Sequence, residues 1–377
     1  MKAIIHKSIT EVDEGRWDAI VGEGRILCTH RYAQALEKSA VNGGRCYYIA
    51  VYEGAELIAH APVYFVRNEL DIFARGAARK LIGLGRRRWK DFFVLKSLEC
   101  GPPIALGNLL SFKSGVDRPA ALALVCREIE LLAKELGVKF ILFRDFYDDE
   151  AGLYGPLEAR GYKKLHNLPQ ALLKLKWKSF DEYLDSMRSN YRCKIVKSID
   201  KCAKAGISIQ PLKELSDDNI RDLKRLYDNV YDNAKEIKRD RLPESFFRNI
   251  SKCLGQNAIV LAATKDGKLI GYMLSLISGK TLITVFPGLD YDCNKECYVY
   301  FNLFYKSIAW AIENGMTDVD MGITTLNPKR DMGSDVVALN MYMKHSNPLF
   351  NKIIPTLFDM ITPPDTTVAR NVFKEGS

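Results

Sequence analysis

One run of elements occurs twice in this chain, and that repetition limits the fold more than any figure of composition. The first run reads Tyr47-Tyr48-Ile49-Ala50-Val51-Tyr52, an acidic-Gly turn at Glu53-Gly54, then Leu57-Ile58-Ala59 and Val63-Tyr64-Phe65. The second reads Ala258-Ile259-Val260-Leu261-Ala262-Ala263, a turn at Asp266-Gly267, then Leu269-Ile270-Gly271 and Met273-Leu274-Ser275-Leu276. Each is a strand, a tight turn and a second strand. Each hairpin is followed by a helix, a glycine and a further strand: 121–136, Gly137 and 139–143 in the first copy, then 299–314, Gly315 and 317–321 in the second. Gly137 and Gly315 suit the left-handed position that ends a helix. Helical stretches precede both hairpins, at 31–39 and at 217–233 with 243–254. The expectation is an α/β fold of α+β type with mixed sheets, built as two tandem domains over 1–175 and 176–377.

The copies differ in length. Gly54 to Gly137 spans 83 residues and Gly267 to Gly315 spans 48, so the first copy carries about 35 more. The natural place for them is 67–100. Residues 67–96 hold nine Lys/Arg against three acids, which is +6 of the whole chain's +9. Leu70, Phe73, Ala77, Leu81 and Leu84 recur at helical spacing, with Trp89, Phe92 and Phe93 nearby. A basic amphipathic stretch with aromatic residues suits a helix lying in the plane of an anionic membrane, so 70–95 is the expected membrane contact. The alternatives are a loop packed on the body with a solvated basic face, and a nucleic-acid patch.

Composition excludes several classes. With 47% apolar and 27% charged residues, the chain is neither disordered nor fibrous. No apolar run exceeds seven residues, against the roughly 20 of a membrane-spanning helix. The expectation is a cytoplasmic protein, peripheral on the inner face of the membrane. Nine cysteines without paired spacing read as reduced thiols. Cys293-x3-Cys297 lacks a second pair or a His cluster, so no metal site is expected.

The hairpin, fourth strand, helix and fifth strand resemble the GNAT N-acetyltransferase fold. The tandem arrangement resembles the FemAB-like, peptidoglycan-biosynthesis-like branch. The carriers are Phe180-Asp181-Glu182-Tyr183-Leu184 with Arg188, Arg192, Ile195 and Lys197, then Leu242-Pro243-Glu244-Ser245-Phe246-Phe247, Pro287-Gly288-Leu289-Asp290-Tyr291 and Trp310-Ala311-Ile312-Glu313-Asn314-Gly315. The usual GNAT phosphate loop is missing, and 290–298 stands in its place. The resemblance implies acyl transfer to a primary amine, from acyl-CoA or, in FemAB enzymes, from aminoacyl-tRNA. GNAT-like bacterial ceramide synthases make a further comparison.

Amide formation must deprotonate an ammonium, stabilise an oxyanion, release the leaving group and align both substrates. In the GNAT fold the fourth and fifth strands splay, and the next helix faces a pyrophosphate. By that resemblance the cofactor-side candidates are Phe286 and Gly288 at the end of the fourth strand, and Tyr298, Asn302 and Lys306 at the helix. Asp320 lies in the fifth strand, where alignment on the glycines gives Leu142 in the first copy. A carboxylate there is either structural with a basic partner or catalytic. His345 is a candidate base by its near-neutral pKa, and Tyr300 a candidate proton donor to the leaving thiolate. His60 is placed to face the cleft between the copies. Lys329 and Arg330, in the polar loop 324–333, are candidate phosphate contacts.

The leading expectation is an N-acyltransferase moving an acyl group from acyl-CoA to the amine of a membrane lipid precursor, a long-chain amine such as a sphingoid base. The alternatives are FemAB-type aminoacyl transfer to a peptidoglycan precursor, or a non-catalytic membrane adaptor on a GNAT scaffold. Nucleic acid is expected as a partner only if aminoacyl-tRNA is the donor.

Overall fold

The computed structural model describes residues 1–69, 84, 88, 94–234, 241–361 and 368–374. The first half supplies β1 (Lys2–His6), α1 (Glu14–Asp18), α2 (His30–Lys38), β2 (Cys46–Glu53), β3 (Glu56–Glu69), β4 (Val94–Cys100), β5 (Ser111–Phe112), α3 (Arg118–Glu135), β6 (Phe140–Phe146), α4 (Gly155–Ala159) and β7 (Lys163–Lys174). The second supplies α5 (Phe180–Ser186), α6 (Ser189–Lys204), β8 (Ser208–Pro211), α7 (Asp217–Asn233), α8 (Glu244–Leu254), β9 (Ala258–Lys265), β10 (Lys268–Ser278), β11 (Thr281–Leu289), α9 (Tyr291–Cys297), α10 (Val299–Glu313), β12 (Asp318–Asp320), α11 (Leu326–Arg330), β13 (Asp335–His345) and α12 (Pro348–Ile361).

Local chemistry sets several of these boundaries. Asp266 and Gly267 both have positive φ, the pattern of a two-residue hairpin turn that matches strand twist. Gly137 and Gly315 take φ +66° and +67° after α3 and α10, as the caps require. The expected insertion over 67–100 is narrower. Arg67 and Glu69 pair with Lys96 and Val94 as strand, so the insertion there is the 70–93 connection, and part of the surplus lies instead in 101–117 before α3, which is longer than 290–298 before α10. Nearly all of the membrane contact expected at 70–95 therefore lies outside the described residues. Among the described residues, no helix is long and apolar enough to cross a membrane.

The strands form one sheet in the order β1-β2-β3-β4-β6-β13-β7-β12-β11-β10-β9-β8, with β5 on β3. The order is palindromic about the central antiparallel pair β13–β7. Each half therefore sends its last strand into the partner half: β13 lies against β6, and β7 against β12. The largest apolar cluster also crosses the midpoint of the chain, since α7 and α8 pack in it with α2. A second cluster gathers α5, α6 and α10.

The parallel strands open at the same level in both halves. Pairing of β4 with β6 ends at Cys100–Phe143, and pairing of β11 with β12 ends at Ile283–Asp320. β11 continues to Leu289 on β10 alone. Register on β10 jumps from Thr284–Ser275 to Phe286–Leu274, which leaves Val285 as an extra residue. Such a bulge bends its strand, here as β11 leaves β12. Thr284 Oγ1 donates to the Asp320 carbonyl at 2.8 Å, the last link before the wedge opens.

His60 does not face a cleft. It is fully buried, with the Trp17 ring stacked on it at 3.7 Å and 12°. Burial pushes its pKa down to about 3. The folded value is below the unfolded one near 6.5, so protonation favours the unfolded chain. The contribution is intact above about pH 6.5. It is lost at up to about 1.4 kcal/mol per pH unit as pH falls towards 3. Urea unfolding at pH 7 and pH 4 should show wild type losing more stability than His60→Gln; equal losses would refute the assignment.

Candidate functional site

Asp320 closes the narrow end of the second wedge. It is 3% exposed, and its Oδ1 accepts the Gly322 amide at 2.8 Å. Burial raises its pKa above the usual carboxylate range, against the opposing effects of Gln170, the Gly322 amide and Lys329, while the charge of Asp145 adds to the rise. By the end of parallel pairing, Asp320 corresponds to Phe143, one residue beyond Leu142. Pairing starts three residues after the glycine in both halves, at Phe140 and Asp318, and the glycine alignment slips because β6 stays paired for one residue more. The asymmetry holds all the same, a carboxylate against an apolar side chain.

Two residues further on, the halves match again in backbone. Asp145 has φ +67° and Gly322 φ +78°. A left-handed aspartate is tolerable because its short side chain finds local partners. Asp145 Oδ1 accepts Asn167 Nδ2 at 2.6 Å, and Oδ2 accepts the Gly107 amide at 3.3 Å. It is buried at 1% exposure. Next to it, Tyr147 donates to Gln170 Oε1 at 3.0 Å, and burial, then the Asp320 charge, push its pKa up to about 12. The central pair of strands thus draws two buried carboxylates together from opposite halves, with Asn167 and Gln170 of β7 between them.

Lys329 completes the group. It is 3% exposed on α11, and its Nζ sits 5.6 Å from the centre of the Phe304 ring. A Cβ on Gly322 would lie 3.8 Å from that Nζ. Rather than meeting a phosphate at the surface, Lys329 bears on Asp320. The arrangement offers a proton acceptor of raised pKa beside a buried ammonium, in polar surroundings.

The remaining candidates lie elsewhere. His345 pairs with Phe140 at the start of β6, five residues and roughly 17 Å of strand from Asp145. Its ring packs on Phe140 and Phe350, each at 4.6 Å, and its Nδ1 accepts the Asn347 amide at 3.0 Å. Asn302 is structural: its Nδ2 donates to the Ser198 carbonyl and hydroxyl and ties α10 to α6. Phe286 packs edge-on to Tyr227 at 5.3 Å, facing α7. Gly288 is a glycine because a Cβ would meet Tyr272 at 2.0 Å. Tyr298 is exposed with Lys201 over its ring at 4.9 Å, and Tyr300 packs on Phe304 at 5.1 Å. Lys306 lies seven residues into α10, roughly 10 Å from its start.

The N-terminus of α10 is already occupied. In place of a phosphate loop stands α9, capped by Asp290. The Tyr300 amide donates to Asn294 Oδ1 at 2.8 Å, and the Phe301 amide to the Tyr298 carbonyl at 3.0 Å. In the first half, Asp117 caps α3 by accepting the Ala120 amide at 3.0 Å. Where the fold usually receives a pyrophosphate, the first half's helix start thus carries an acidic cap and the second half's the neutral amide oxygen of Asn294.

Sequence reading singled out Asp320 and passed over the residues the structure places around it, Asp145, Tyr147, Asn167 and Gln170. One signal was available: Arg144-Asp145 interrupts the otherwise apolar run Phe140 to Phe146, and charge inside an apolar strand demands partners.

Comparison with known proteins bears on the family and the fold. The profile of the FemAB-like family, described as peptidoglycan biosynthesis/recognition, matches residues 8–325. A Mycobacterium tuberculosis protein provisionally named 8-amino-7-oxononanoate synthase 2 is 24% identical over 325 residues, covering 84% of this chain. The match takes in only 42% of that protein's length. The crystal structure of FemX superposes with a TM-score of 0.59 at 14% identity, over 94% of this chain and all of FemX. A tandem GNAT protein of the clavulanic acid biosynthesis pathway superposes at 0.51 and 11% identity, over 92% of this chain and 99% of its own. The fold is the tandem GNAT fold.

Proposed function

The chain belongs to the FemAB-like family, and from that premise we propose that it transfers an aminoacyl group from an activated ester to the primary amine of a cell-envelope precursor. The observation that carries the reading is Asp320, buried at the wedge with Asp145, Gln170 and Lys329 around it. Asp320 takes the proton of the acceptor ammonium. The freed amine attacks the ester carbonyl, forming the C–N bond, and the Lys329 ammonium stabilises the oxyanion. The adduct nitrogen gives its second proton to water, the ester C–O bond breaks, and the proton held on Asp320 passes to the departing oxygen, leaving a neutral amide and a free hydroxyl.

Two features favour an aminoacyl donor over the long-chain acyl-CoA of the leading expectation. The α10 amides that would receive a pyrophosphate already have acceptors. The polar surroundings of Asp320 suit a short, ammonium-bearing acyl group better than an alkyl chain. Sphingoid acylation has no support from the side chains of this site.

Labelled aminoacyl-tRNA with a UDP-linked peptidoglycan pentapeptide should give a labelled amide. Palmitoyl-CoA with sphinganine should give none. In thermal unfolding, aminoacyl-tRNA should raise the apparent Tm and palmitoyl-CoA should not. Amide formation from palmitoyl-CoA alone would overturn the reading.

A further inference from the structure

A second site lies further along β7 from Asp320. Lys174 ends β7 opposite Asp318, two residues and roughly 7 Å along the strand from Leu172, the partner of Asp320. There a cavity of about 360 Å³ opens between the end of β7, α11, the start of β13 and the chain segment 370–374. Lys174, Lys176, Arg330, Arg370 and Lys374 line it, against one carboxylate, Asp335. Part of that charge is met locally. Arg370 pairs with Asp331 at 2.9 Å, and Lys374 Nζ donates to the Asp185 carbonyl at 2.6 Å.

Two buried groups on its wall have no protein partner among the described residues. Ser334 is 5% exposed with an unbonded Oγ, and the Nε of Arg330 is likewise buried and unbonded. Leaving buried donors unpaired is costly, and native structures keep few of them. A guanidinium, a hydroxyl and a lysine among the residues lining one cavity make up the donor set of a phosphoryl group. The cavity exceeds a lone phosphate and falls at the lower end of small-ligand sites.

We propose that this cavity binds the phosphoryl group of a small phosphorylated ligand, held by Arg330, Ser334 and Lys174. Adjacent residues thereby divide the work of α11: Lys329 turns to Asp320 and Arg330 to the cavity. Binding here is independent of the acyl transfer proposed above and is read without turnover.

Titration calorimetry of the full chain at low salt, with inorganic phosphate, pyrophosphate and UDP as probes, tests it. Pyrophosphate should bind and weaken as salt rises. Arg330→Gln and Ser334→Ala should each weaken binding about tenfold, the loss of one charge-assisted or buried hydrogen bond. Lys174→Gln, an exposed and fold-neutral change, should weaken it about threefold and serves if Arg330→Gln does not fold. UDP binding tighter than pyrophosphate supports a nucleotide source, and equal binding supports the phosphoryl group alone. No binding of any probe to the wild type, or unchanged affinity in the variants, would overturn the proposal.

Discussion

Asp320→Asn should lower turnover by about 10²–10⁴-fold, the usual worth of a positioned general base. The substrate KM should change little, because the change removes a proton acceptor and keeps the shape. Asparagine can still offer its carbonyl oxygen to the Gly322 amide, which now meets Asp320 Oδ1 at 2.8 Å. The pH profile separates a base from a structural carboxylate. Burial holds the Asp320 carboxyl above the usual range, so kcat should rise with pH along a limb set above ordinary carboxylates. That limb should vanish in Asp320→Asn. An unchanged limb with a lowered Tm would make Asp320 structural and end the proposed mechanism.

The second large effect is on stability. Arg144 Nε lies 2.9 Å from Glu99 Oε2, with side chains 11% and 5% exposed. Burial disfavours the Arg144 charge, yet Glu99 and Asp145 outweigh it and leave its pKa raised. Its Nη2 also donates to the Pro102 carbonyl at 2.8 Å, and a Cβ on Gly101 would press against its Nε at 2.8 Å. Removing one partner of such a pair strands the other. Arg144→Met should therefore cost about 3–5 kcal/mol in urea unfolding. The double variant Arg144→Met/Glu99→Leu should recover much of that loss. A single variant within about 1 kcal/mol of wild type would show the pair to be solvated.

The stability and catalytic effects meet in one place. Arg144 and Asp145 are neighbours at the end of β6, where the first half opens as the second does beside Asp320. The first half fills its opening with an ion pair and the second keeps a carboxylate and Lys329.

The local pattern along the chain determined the repeated hairpins, the helices ended by Gly137 and Gly315, and the carboxylate in the fifth strand. Each is written in period, turn residue or cap, which act over a few residues. The tertiary structure alone decided the exchange of β7 and β13 between halves, the meeting of Asp145 with Asp320, and the burial of His345 among phenylalanines. Strand exchange depends on pairing between distant segments, and two strands of similar pattern carry no mark of which neighbour they will take. A lone histidine or aspartate is equally silent, because its role is set by what the sheet brings beside it.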